Sequence, residues 1–328
     1  MGLSEIIGHQ KQIEMLHSAL AHGRLHHAYL FVGPDGVGKR TVALSLARVI
    51  HCRESHDDFC GRCANCARIQ AGNHPDVRVI EPLPGKKEIS IQQIRDTEKE
   101  LNFRSFSGGR KIAVIDPATL MNLSAQNALL KTLEEPPQDS VLILIASSAG
   151  GLLPTLRSRC LRLSFSPLSR DLLSGFLVSR NGMRPEEANF LAAAAMGSIG
   201  AAIRIDNEEL RKRRRVWIDT LASLGTGDYR AAIEAAEALS NKKEEALGFL
   251  EWAESWYRDL LVHTVGQESQ ELMNLDMAAR LEHDSANVKL ETIVSLIAQT
   301  IEAVAGIRRN LNRRMILENL FFQLVRAR

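Results

Sequence analysis

The chain has 328 residues, 45% of them hydrophobic, enough to bury more than one core, and two or three domains are expected. Its 41 basic and 39 acidic side chains leave a net charge of +2, which excludes a chain-wide field for DNA or membrane and confines any nucleic-acid contact to a local patch. No cationic segment leads into an apolar run near Met1, and no stretch of about 18 uninterrupted apolar residues occurs. Glu5-Ile6 after Met1-Gly2 lacks the hydroxyl that a myristoylation signal wants. A cytoplasmic chain with no membrane partner is expected.

Up to about residue 165, β-rich apolar runs alternate with amphipathic stretches. The runs are AYLFVG (28–33), DVRVIEP (76–82), KIAVID (111–116), SVLILIAS (140–147) and LRLSF (161–165). Continuous apolar runs divided by helices predict an α/β domain with a mostly parallel sheet covered on both faces. The first run leads directly into GPDGVGKR (33–40) and the helix KRTVALSLARVI, the context of a phosphate loop. Gly33, Gly36 and Gly38 let backbone amides approach phosphates, the helix N-terminus adds positive potential, and Lys39 reaches the terminal phosphates.

Two partners of such a loop are missing. Magnesium is normally held by a hydroxyl at position 40, where this chain has Arg40; Thr41 comes one residue late and points about 100° away on a helix. The second half of a nucleotidase site should be a strand ending in Asp-Glu, yet Asp116 is followed by Pro117, which carries no carboxylate to polarise water. Hydrolysis by the isolated chain is therefore not expected, and a degenerate loop of this kind binds ATP or ADP more weakly.

Directly after the loop helix come Cys52, Cys60, Cys63 and Cys66, in HCRESHDDFCGRCANCARI. Four thiolates at this spacing, with turns at Gly61 and Asn65, suit a closed tetrahedral zinc clip. An iron–sulfur cluster is the rival, but the fourth cysteine lies upstream and no Cys-Pro follows. The nearby His51, His56 and His74 read as ordinary polar residues, and Cys160 as a buried small hydrophobe.

Further along, SIQQIRDTEKEL opens with a capping box between Ser90 and Gln93. NFRSFSGGRK, with Arg104, Arg110 and Lys111, could approach DNA, but a mobile basic loop is the more ordinary reading. SAQNALLKTLEEPP places Ala125, Ala128, Leu129 and Leu133 on one helical face, and Pro136-Pro137 stops the helix. From residue 169 the pattern is helical: RPEEANFLAAAAMGS and SIGAAIRI read as helices of a small lid. RKRRRV (211–216) could touch DNA, but reads rather as a solvated face where one helical unit passes to the next. Trp252 with Trp256, and Leu311, Met315, Leu317, Leu320 and Phe321, read as core or subunit interface. The expected division is 1–166, 167–208 and 209–328.

LHHAYLFVGPDGVGK, the four-cysteine insert, NHPDVRVI, SAQNALLKTLEEPP and LLPTLRSRC together resemble the AAA+ subunits of the bacterial DNA polymerase III clamp loader. The helical remainder resembles them more loosely, through GSIGAA, WYRDLL and NLNRRMILENL. The gamma/tau motors of that family carry Thr after the loop lysine, Glu after the strand aspartate and Arg in the GSIG motif. Arg40, Pro117 and Gly200 stand there instead, which resembles the non-hydrolysing delta-prime branch.

The resemblance implies an AAA+ domain with a zinc insert, a helical lid and an all-α collar, in a five-membered ring with gamma/tau ATPases and delta. It further implies that Arg159 of the SRC motif acts as an arginine finger toward the neighbour's γ-phosphate, with Arg157 the lesser candidate. Through the assembly it implies the sliding clamp and primer–template DNA as partners. Two other classes stay open: a true ATPase using Thr41 with Glu134 or Glu135, and a zinc-dependent nucleic-acid binder.

Overall fold

The computed structural model describes residues 2–3, 6–55, 58–205, 207–224, 227–266, 272–274, 277–286 and 288–327. Helices α1 (Gln10–Ala21), α2 (Lys39–His51) and α3 (Ala64–Gln70) surround strands β1 (Ala28–Val32) and β2 (Val77–Ile80) in chain order. They are followed by α4 (Ile91–Leu101), β3 (Lys111–Ile115), α5 (Leu123–Glu134), β4 (Ser140–Ala146), α6 (Pro154–Arg157), β5 (Leu161–Ser164) and α7 (Arg170–Asn181). The rest is helical: α8 (Pro185–Ala194), α9 (Ile199–Arg204), α10 (Asn207–Ser223), α11 (Tyr229–Ser240), α12 (Lys243–Thr264), α13 (Ala278–Ser285), α14 (Leu290–Arg308) and α15 (Arg313–Ala327).

The five expected strands form one sheet in the order β2-β3-β4-β1-β5, every neighbouring pair parallel. Position in the sheet accounts for the composition of each strand. The three inner strands are buried at every residue, so both faces must be apolar, whereas β2 and β5 at the edges alternate with exposed residues. Period-two geometry splits the inner strands between two cores. Leu30, Leu142 and Leu144 meet Ile94 of α4 and Leu129 of α5 on one side. Phe31, Ile143 and Ile145 meet Leu16 of α1 and Val42 and Leu46 of α2 on the other. The parallel α/β sheet carrying a cysteine insert and followed by an all-α region is the fold class expected from the sequence.

The capping box forms as expected: Ser90 Oγ accepts from the Gln93 amide, and the Gln93 side chain accepts from the Ser90 amide. Helix α5 begins at Leu123, capped by Asn122, whose side chain accepts from the Ala125 amide. The chain divides into two compact units, residues 1–182 with 195–203, and residues 183–194 with 204–328.

In the second unit α12 packs against α14 and α11 against α15 around Phe249, Trp256, Ile307 and Phe321. Trp252 and Trp256 stack at 5.8 Å, as core, while Leu311 and Met315 stay exposed. Helix α14 is long and apolar enough to cross a membrane by length and composition, but it lies against α12 with Ile293, Leu296 and Ile307 buried. The basic run corrects one expectation. It lies within α10, and its Arg214 is not solvated: it is buried, bonds Asn274 Oδ1 and stacks over Phe190 at 5.0 Å, with Arg211 at 4.1 Å.

Candidate functional site

The phosphate loop lies where parallel-sheet geometry puts ligands, between the end of β1 and the start of α2. Gly38 caps α2 at φ 109° and Gly36 turns the loop at φ 75°. A side chain at Gly36 would strike Ser198 Oγ at 2.3 Å, because residues of the first unit that follow α8 close over the loop. Ser198 Oγ donates to the Asp35 carbonyl at 3.0 Å, and the Gly200 amide donates to the Gly36 carbonyl at 2.9 Å. Lys39 is 5% exposed and turned into its own loop, its Nζ donating to the carbonyls of Gly33 at 2.5 Å and Pro34 at 2.6 Å. Burial lowers the Lys39 pKa, offset in part by Asp35 and Asp116.

Arg40 stands in the place of the metal-binding hydroxyl. Its guanidinium pairs with Glu81 and, at 3.5 Å, with Asp116, so a fixed cation bridges the end of β3 to the mouth of the loop. Asp116 is half-buried; burial and Glu81 raise its pKa while Arg40 and Lys39 oppose that. Pro117 follows it, and Thr41 is exposed on α2. The structure therefore brings Gly33, Gly36, Gly38, Lys39 and Asp116 together, with Thr41 exposed on the first turn of α2.

Arg159 follows α6 and is only partly exposed. Its guanidinium pairs with Glu134 at the end of α5 at 2.7 Å and donates to the Thr155 carbonyl at 2.9 Å. Glu134, weighed from sequence as a water-activating base, is thus engaged with Arg159, and Glu135 is exposed. Arg157 is exposed and makes no ion pair among the described residues.

The cysteine insert converges as its spacing predicts. The sulfurs of Cys52, Cys60, Cys63 and Cys66 all lie within 4.8 Å of one another. The Cys60 amide donates to Cys52 Sγ at 3.3 Å and the Cys63 amide to Cys60 Sγ at 3.2 Å, contacts that favour thiolate over thiol. Burial resists ionisation of Cys63, but amides of Arg53 and Cys66 and the adjoining thiols outweigh it and bring that thiol to about 6; burial pushes Cys66 up to about 12. Four soft donors, Cys63 and Cys66 buried and Cys52 and Cys60 partly so, could hold a metal ion in a closed tetrahedral site. Cys160 is partly buried beside the α5 core, and burial pushes its thiol up to about 12, so it behaves as the small hydrophobe expected.

Two expectations fail beside the insert. His51 and His74 are not ordinary polar residues: they are each 4% exposed, with rings 4.5 Å apart, next to Asp76 at 3%. His56 lies outside the described residues. The Asp76 carboxylate accepts from the amides of Phe106 and Ser107 and the hydroxyls of Ser105 and Ser107, all at 2.6–2.9 Å. Burial opposes its charge, yet these donors hold its pKa well below the usual carboxylate range. They also pin the loop 102–111, which the basic residues alone had suggested was mobile. Burial, then His74, lowers the His51 pKa to about 4. The sequence signal was the His-x-Asp spacing in NHPD, but its partner His51 comes from the far end of another helix.

Two family profiles match. One described as "DNA polymerase III, delta subunit" covers residues 8–169, and one described as "DNA polymerase III, delta subunit, C terminal" covers 208–326. DNA polymerase III subunit delta' of Pseudomonas aeruginosa is 32% identical over 306 residues, 90% of this chain and 91% of its own length. The subunit of the same name from Escherichia coli is 29% identical over 318 residues, 95% and 92% of the two chains. DNA polymerase III subunit tau of Escherichia coli is 27% identical over 303 residues, 90% of this chain but 43% of tau. With an identity of 32% sustained across nine-tenths of both chains, this chain belongs to the delta-prime family of DNA polymerase III clamp-loader subunits.

Proposed function

We propose that the chain is the non-hydrolysing stator of a replicative clamp loader, closing the nucleotide site of a neighbouring gamma/tau ATPase with Arg159. The observation that carries this reading is the state of its own loop. Arg40 and Pro117 replace the two groups hydrolysis needs, and Lys39, Ser198 and Gly200 are bonded into the loop itself. A motor requires those positions to hold a metal and orient water. Residues 167–208 then serve as lid and 209–328 as the collar joining the delta and gamma/tau subunits in a five-membered ring. Their ATP cycle would open the sliding clamp and thread primer–template DNA in the cytoplasm.

Zinc is the metal that best suits the four cysteines, which would hold the residue 52–66 insert closed beside α2 and α3. Purified chain with zinc should be colourless, whereas an iron–sulfur cluster would be brown. The deciding experiment is ATP hydrolysis by the natural chain and Arg159→Ala, each alone and each mixed with cognate motor and delta subunits. Silence alone, with activity in the mixture that falls on losing Arg159, supports the stator. Turnover by the isolated chain that depends on Lys39 would make it a motor instead.

A further inference from the structure

We propose that His51, His74 and Asp76 form a second, weaker metal site, for a transition-metal dication of the zinc, cobalt and nickel group, separate from the four cysteines. The three residues come from two places, His51 from the last residue of α2 and His74 and Asp76 from the loop between α3 and β2. All are more than nine-tenths buried, and one donor atom of each lies within 4.8 Å of the others. The Nε2 atoms of both histidines are buried with no hydrogen-bond partner among the described residues. Two buried nitrogens left without a partner, on rings whose centroids lie 4.5 Å apart, are costly unless a ligand takes them up.

Ser107 prepares one of them. Its hydroxyl donates to Asp76 Oδ2 at 2.6 Å, leaving its oxygen to accept from His51 Nδ1 at 2.9 Å. That bond puts the hydrogen on Nδ1 and the lone pair on Nε2, as an outer carboxylate does for a metal-bound imidazole. Neutral imidazole with one carboxylate suits borderline dications rather than calcium or magnesium.

Two features limit the affinity. The Asp76 amide lies 3.2 Å from His74 Nδ1 and must move off when that nitrogen takes the hydrogen. Lys111 Nζ lies 3.7 Å from Asp76 Oδ1, so the carboxylate's charge is already shared. Asp76 can therefore contribute one oxygen at most, and the imidazole pair supplies most of the binding. Access is from a surface cleft of about 1050 Å³ whose wall includes His74, Phe106 and Lys111.

The test is a cobalt titration of the metal-free, reduced full-length chain, followed optically. Two equivalents are expected: a tight one with thiolate charge-transfer absorption, and one at least tenfold weaker showing only ligand-field bands. His74→Gln should abolish the second and spare the first. Ser107→Ala, which keeps all three ligands, should weaken the second about tenfold by releasing the His51 tautomer, and it decides the matter if His74→Gln fails to fold. Saturation at one equivalent, as expected if a water bridges the two imidazoles, overturns the proposal. A second equivalent untouched by either substitution overturns it too.

Discussion

Replacing Glu134 with Gln separates the two roles open to Arg159, as a residue that acts on a neighbour or one that only anchors α6. In the isolated chain Arg159 is held by Glu134 at 2.7 Å, with the two side chains 36% and 53% exposed. An ion pair that open to solvent is worth roughly 0.2–1 kcal/mol. An arginine finger is worth about 10³ to 10⁵ in rate, roughly 4–7 kcal/mol of transition-state stabilisation. The pair is thus too weak to keep Arg159 from a neighbour's phosphate. Removing it should raise hydrolysis at the bordering motor site by no more than about fivefold, the factor that 1 kcal/mol allows. Arg159→Ala should slow the same site by about a thousandfold or more. Single-turnover hydrolysis in the reconstituted mixture resolves this, because one slowed site appears as a separate slow phase beside unaffected ones. If Glu134→Gln slows that phase as severely as Arg159→Ala, the pair is structural and the finger assignment fails. It also fails if Arg159→Ala leaves every phase unchanged.

Two further outcomes follow from buried groups. Asp259 of α12 is fully buried and accepts from the amides of Met273 and Asn274 and from Asn274 Nδ2 at 2.6–3.0 Å. Asp259→Ala should cost about 1–3 kcal/mol, since it strands buried amide donors, read as a shifted urea midpoint; no measurable shift would mean water takes its place. Burial, then neighbouring His26, lowers the His27 pKa in the folded chain. The unfolded chain therefore takes up a proton near the ordinary value that the folded chain declines, so stability falls as pH drops through about 6.5. His27→Gln should lessen that slope, which His51 and His74 share, and an unchanged slope would exonerate this residue.

What could be read from the sequence was what short-range chemistry decides. Apolar runs marked the five strands, Ser90 and Gln93 marked a helix start, and the cysteine spacing placed four sulfurs together. What escaped depends on chain segments meeting in space. His51 and His74 are 23 positions apart and come together only because α2 ends beside the loop that follows α3. Arg214 looked solvated because its neighbours are all basic, but a helix turns each residue about 100° from the last, and this one faces Phe190 and Asn274. The loop 102–111 looked mobile from its glycines and charges, and is pinned by the carboxylate of Asp76, which lies on the far side of α4 in the chain.

On the proposed stator reading, the bridge from Arg40 to Glu81 and Asp116 would make motor activity hard to gain. Its guanidinium stands in for a divalent ion, so the two carboxylates have a counter-charge with no nucleotide present. Restoring a hydroxyl at position 40 alone would leave Glu81 and Asp116 without their shared counter-charge, and Asp116 is already raised by burial and by Glu81. Such a change would cost stability before it conferred any metal binding, and without a carboxylate in place of Pro117 it would confer no hydrolysis. A lineage at this sequence would have to pass through the poorer intermediate, so a stator role, as proposed, would be held in place by charge.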